Sequence, residues 1–147
     1  MKTCAIVGIN WGDEGKGRMV DLLTGDYDIV IRYQGGGNAG HTVVNRYGKF
    51  ALHLLPSGIF HPHVVNILGN GVALDAENLW NEIEDVRSKG VSVTPENLMI
   101  SERASLLMPW HRQLDVLEEA RVKAEPSLST KQGIAPFYSD KNQTMPI

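Results

Sequence analysis

Two spacings of apolar residues alternate along this chain. "TCAIVG", residues 3–8, is a short unbroken apolar run ending in glycine, which predicts a buried strand. "KGRMVDLLTG", 16–25, switches to helical spacing: Met19, Val20, Leu22 and Leu23 share a broad face, and Gly25 follows the end. "YDIVIRYQ", 27–34, is strand-like again. "VVNRYGKFALHLL", 43–55, has two β-rich runs around "RYGK", the pattern of a hairpin. "VVNILGNG", 64–71, predicts another strand. The clearest helix is "DAENLWNEIEDVRSKG", 75–90, with Asp75 as cap, Leu79, Ile83 and Val86 on one face, and Gly90 as stop. "ENLMIS", 96–101, reads as a strand. "PWHRQLDVLEEARVKAE", 109–125, reads as a helix turning Leu114, Leu117 and the stem of Arg121 inward. From residue 129 onward the chain reads as loop. Strands alternating with helices imply an α/β fold, a mostly parallel sheet flanked by helices. With no repeat and no linker, residues 1–147 read as a single domain.

Composition narrows the class. The 147 residues are 42% apolar and 21% charged, ordinary for a globular chain. A net charge of -3 without a basic run argues against nucleic acid as a partner. No apolar stretch reaches the length of a membrane span, and the N-terminal run is too short for a signal peptide. A single cysteine, Cys4, forms no internal disulfide and reads as a buried, inert thiol. The expectation is a soluble cytoplasmic protein.

The candidate chemistry starts at "NWGDEGKGRMVDLL", 10–23. A strand, a glycine loop and a helix start together hold phosphates, because unpaired N–H groups and the helix dipole favour an anion there. Gly12, Gly15 and Gly17 permit close backbone approach, and Lys16 supplies positive charge. The loop is P-loop-NTPase-like but variant: the spacing from Gly8 is too long, and Gly17-Arg18 stands where a magnesium-holding Ser/Thr would be. The plainer alternative is a tight strand-to-helix turn with solvated charges. On the phosphate reading, Asp13 becomes a hard oxygen ligand for Mg²⁺, or a base where a substrate proton is in reach. Glu14 reads as a helix-start charge.

"QGGGNAGHT", 34–42, puts four glycines into nine residues. Asn38 can donate and accept, and His41 has little apolar cover. Taken singly, that histidine would be structural. Ligands in open α/β sheets bind beyond the carboxyl ends of strands, so two glycine loops after parallel strands should face one crevice. An Asp, a Lys, an Asn and a His would then converge, a set suited to phosphoryl transfer with acid–base help.

"GINWGDEGKGRMVDLL", "VIRYQGGGNAGHTVV", "LHLLPSGI", "GNGVALD" and "STKQGIAPFYSDK" closely resemble the N-terminal part of the adenylosuccinate synthetase family. The resemblance implies a cytoplasmic, homodimeric ligase of AMP synthesis. It would join IMP to L-aspartate with GTP and Mg²⁺, giving adenylosuccinate, GDP and phosphate. Carried onto this chain, it implies that Asp13 removes the purine ring proton and binds Mg²⁺, and that His41 stabilises charge on the 6-oxygen. It implies GTP contacts from Gly12 through Arg18 (Gly12, Asp13, Glu14, Gly15, Lys16, Gly17, Arg18) and from Gly40, His41 and Thr42. It implies IMP contacts from Asp13, Glu14, Gly15, Lys16, Asn38, Ala39, Gly40, His41 and Thr130, with the Gly40 carbonyl on the metal.

This sequence departs from that pattern in places. Asn10 stands for a common Gln, "LSTKQG" for "GTTGRG", and Thr144 falls near a family arginine that reaches the partner subunit. Family members are much longer, so the resemblance implies the front section of such an enzyme; the alternatives are a non-catalytic nucleotide-binding module or an inactive fragment. His61 and His63 form a possible metal pair that reads more simply as solvated. Trp11, Trp80 and Trp110 read as core or rim packing, and Ser57, Ser101 and Ser105 show no nucleophile context.

Overall fold

A computed structural model describes residues 2–9, 15–121 and 129–143. Helix α1 (Lys16–Thr24) leads into strand β1 (Ile29–Gly35). An antiparallel hairpin follows, β2 (His41–Asn45) and β3 (Gly48–Leu52), turning at Arg46-Tyr47 as the sequence predicts. A buried 3-10 turn at Ser57–Phe60 precedes the long strand β4 (Val65–Leu74). Helix α2 (Ala76–Ser88), strands β5 (Leu98–Ile100) and β6 (Ser105–Leu106), and helices α3 (Pro109–Arg121) and α4 (Ile134–Asn142) complete it.

β4 is the spine. It pairs in parallel with β1 on one side and with β5 and β6 on the other. The result is the expected mixed α/β fold with a parallel sheet flanked by helices. Its main core joins the inner side of the hairpin (Val43, Phe50, Leu52), the 54–60 segment (Leu54, Leu55, Ile59, Phe60), β4 (Leu68, Val72) and α2 (Leu79, Val86). Asp75 caps α2 by accepting from the Asn78 N–H at 3.0 Å, as the sequence predicts. No helix among the described residues is long and apolar enough to cross a membrane.

Four expectations are corrected. Residues 3–8 form no strand and are largely exposed, with Val7 62% accessible and the adjoining Ile9 90%. A strand is a paired state, and these residues enter no ladder with the described strands. Cys4 is accordingly exposed rather than buried. On α3 the apolar residues Leu114 and Leu117 face outward, and the buried positions are His111 and Asp115. Both polar groups are satisfied there: His111 Nδ1 accepts from the Met108 N–H at 2.9 Å, and His111 Nε2 meets Asp140 Oδ2 of α4 at 3.1 Å. Trp80 and Trp110 are at least half exposed and outside both core clusters, which agrees with the rim rather than the core of the two places expected for them.

The segment after residue 129 is not all loop, since α4 occupies 134–142. Gly133 starts it with φ +75°, and Pro136 sits in the first turn, where its missing N–H costs no helical bond. Phe137 buries itself with Ala73 and Leu107 in a second small core.

Candidate functional site

The first glycine motif meets the second at one side chain. Gly15, with φ +81°, turns the chain into α1. Lys16, Gly17 and Arg18 form the first turn of α1, where helical N–H groups point outward along the axis, and Lys16 and Arg18 lie exposed on that turn. The His41 ring packs on Gly17: a Cβ built there falls 2.5 Å from its Cγ and Cδ2. His41 Nε2 lies 2.9 Å from Ser57 Oγ, which also reaches the Gly17 carbonyl at 3.2 Å. Helix start, strand start and 3-10 turn are thereby tied together.

A second set of contacts holds the backbone around His41. Arg32 Nη2 donates to the Gly36 carbonyl at 2.7 Å, and Arg32 Nη1 donates to the His53 carbonyl. The carboxylate of Glu82, projecting from α2, accepts from the N–H groups of His53, Leu54 and Leu55 at 3.0–3.1 Å. The ring of His53 covers Gly40, where a Cβ would fall 2.7 Å from Nε2. Burial, then the Arg32 charge and His53, push the His41 pKa below its ordinary value. The same causes favour the neutral form of the ring. Burial likewise lowers the Arg32 pKa, opposed by Glu82.

The loop carrying Thr130 is anchored separately. Asp115 accepts from the Ser129 hydroxyl at 2.6 Å and from the Gly133 N–H at 2.8 Å. Thr130 is exposed, and Lys131 takes φ +57°. This loop reaches the second glycine motif through Ile134, whose Cδ1 would lie 2.5 Å from a Cβ at Gly36. A cleft of about 470 Å³ opens at the same seam, lined by Gln34, Gly35, Gly71, Tyr138, Lys141 and Asn142. None of the assigned site residues lines it.

Lys16, Gly17, Gly40, His41 and Thr42 thus belong to one neighbourhood, and Gly36 links it to the Thr130 loop. Asn38 and Ala39 are exposed in the turn between β1 and β2. Gly12, Asp13 and Glu14 lie outside the described residues, as do Trp11 and Thr144. Among the described residues no group of three His, Cys, Asp or Glu could hold a metal ion. His61 instead lies 3.9 Å from Asp21.

Arg32, Glu82 and Asp115 receive no site role from the sequence, and Ser57 shows in sequence only its lack of a nucleophile context. Two of them carry a legible signal. Ser57 is the lone hydroxyl in the apolar stretch 54–60, and a buried hydroxyl must find a partner. Glu82 shares the inward face of α2 with Leu79, Ile83 and Val86.

The sequence profile of the adenylosuccinate synthetase family matches residues 5–147. An adenylosuccinate synthetase of Caldicellulosiruptor bescii is 54% identical over 141 residues, covering 95% of this chain and 32% of its own length. One from Clostridium acetobutylicum is 48% identical over 141 residues, covering 96% and 33%. In three dimensions, the fully ligated adenylosuccinate synthetase of Plasmodium falciparum matches with a TM-score of 0.79 at 38% identity, over 91% of this chain and 31% of that one. The cyanophage S-2L succinoaminodeoxyadenylate synthetase, solved with dGMP and with dATP as an energy donor, matches at 0.67 and 27% identity, over 89% and 35%. The chain spans about a third of the length of these relatives. With its two glycine motifs joined at Gly17 and His41, this chain belongs to the adenylosuccinate synthetase family.

Proposed function

We propose that residues 1–147 act as a nucleotide-binding unit supplying the acid–base and phosphate-holding part of an adenylosuccinate synthetase reaction, the GTP-driven joining of IMP and L-aspartate. The observation that carries this reading is the His41 ring seated on Gly17 in the first turn of α1. It sets an imidazole beside the N–H groups suited to a phosphate.

In this reading Asp13 takes the proton from the purine ring nitrogen beside the 6-oxo group, and the resulting oxyanion attacks the γ-phosphate of GTP. His41 donates a hydrogen bond to the developing charge. The amine of aspartate then displaces the 6-phosphate, which phosphorylation has made a good leaving group. Gly12, Glu14, Gly15, Lys16, Gly17, Arg18, Gly40 and Thr42 hold the GTP phosphates. Asn38, Ala39 and Thr130 seat IMP together with the residues around Asp13 and His41. Magnesium fits the donor set by chemistry, since the Asp13 carboxylate and the Gly40 carbonyl are hard oxygens and phosphates can complete the shell. When bound, it neutralises phosphate charge. A homodimer in the cytoplasm, without nucleic-acid or membrane partners, belongs to the same reading.

The alternative reading is a module that binds nucleotide without turnover. Mixing the chain with IMP, GTP, Mg²⁺ and aspartate and following adenylosuccinate separates the two. Product supports the catalytic reading; GTP binding without product supports the module. ATP belongs in the same assay, because the cyanophage relative was solved with dATP as an energy donor.

A further inference from the structure

Ser57 lies in the buried turn after Pro56, with 2% of its surface accessible, and its hydroxyl faces two polar atoms. One is the Gly17 carbonyl at 3.2 Å; the other is His41 Nε2 at 2.9 Å. A hydroxyl has one proton and a carbonyl has none. With the Ser57 proton on Gly17, the serine oxygen can only accept from the ring, so Nε2 must carry hydrogen. With the Ser57 proton on Nε2 instead, two oxygen lone pairs would face each other across 3.2 Å with little water to separate them. That arrangement is costly in a buried place. The shape around the ring allows little escape, because it is held against the Cα of Gly17.

We infer that Ser57 is a positioning residue for His41: its hydroxyl, tied to the Gly17 carbonyl, fixes the imidazole as the Nε2–H tautomer and holds that donor against the first turn of α1. In a neutral ring Nδ1 is then an acceptor. A ligand oxygen that takes a hydrogen bond from His41 receives it from Nε2 in exchange for Ser57. Ser57 thus keeps the donor oriented while no ligand is present. The functional meaning of this donor rests on the reading given under Proposed function; the tautomer itself does not.

The test is long-range ¹⁵N–¹H correlation of the histidine-labelled chain at mildly alkaline pH, without ligand. The His41 signals are assigned by their loss in His41→Gln. The expected pattern has Nε2 in the protonated range and Nδ1 in the unprotonated range, and moves toward averaged tautomers in Ser57→Ala while the amide signals of α2 stay in place. A protonated Nδ1, or averaged nitrogens already in the wild type, overturns the inference. An unchanged pattern in Ser57→Ala overturns it as well. Should that variant fail to fold, the wild-type spectrum alone decides. No step depends on GTP binding or product, so failure here is distinct from failure of the ligase reading.

Discussion

His41 rests on Gly17 so closely that the helix has no room for a side chain there: a Cβ would sit 2.5 Å from the imidazole. An alanine would favour the helix by roughly 1 kcal/mol over glycine. The clash outweighs that gain, since overpacking of a tight site costs about 1–3 kcal/mol. Gly17→Ala is expected to break the His41–Ser57 contact, lower the urea midpoint and weaken nucleotide binding. Chemical denaturation and a GTP titration of the variant check this. Unaltered binding would mean that the ring has space to move aside at no cost.

Glu82 gathers three consecutive N–H groups from the strap between β3 and the Ser57 turn. Glu82→Gln keeps the shape but aims one NH₂ group at those donors. Leaving such N–H groups unmatched costs about 1–3 kcal/mol. The expected outcome is a loss of that size by urea denaturation, with the His53–Leu55 amides exchanging faster. A change under about 0.5 kcal/mol, the range of ordinary surface substitutions, would show that water replaces the carboxylate.

Asp115 does the equivalent for the Thr130 loop, accepting from Ser129 and Gly133. In Asp115→Asn one of the two oxygens becomes a donor group. Limited proteolysis should then cut between residues 129 and 133 several-fold faster. An unchanged cleavage rate would remove Asp115 from its anchoring role.

The depressed pKa of His41 has a definite sign. Its folded value lies below the ordinary histidine value of about 6.5, so the unfolded chain takes up the proton first as pH falls. Stability from the neutral ring is complete above that value and is lost as pH falls through the folded pKa. Asp21 acts in the opposite sense, because burial raises its carboxyl pKa, and its effect is common to the wild type and to His41→Gln. Between pH 7 and 5 the wild type should therefore lose more stability than His41→Gln, by denaturant melts at each pH. Parallel pH profiles would contradict the buried, neutral ring.

Local signals explain what was readable. The "RYGK" turn, the Asp75 cap and the Leu79–Val86 face of α2 depend on neighbours within a few residues, and all three are as the sequence states. The two glycine motifs do touch, at Gly17 and His41, while their sharing of one crevice with Asp13 and Asn38 remains part of the proposal, with Asp13 outside the described residues. The misreadings have a common cause in partners distant along the chain. The run at residues 3–8 has strand character but no strand to pair with among those described. Leu114 and Leu117 have core character, yet α3 turns His111 and Asp115 inward, because α4 and the Thr130 loop supply their hydrogen bonds. α4 itself begins at a positive-φ glycine and carries a proline, two marks that by themselves suggest a loop.

If one nucleotide sits between both glycine motifs, then titrating the chain with GTP and Mg²⁺ while following backbone amides must move two sets of signals together. Gly15–Gly17 and Gly40–Thr42 should shift along a single binding curve, largely intact in Asp13→Asn and weakened in Lys16→Ala. Shifts confined to one motif, or to neither, would contradict the site proposed for this chain.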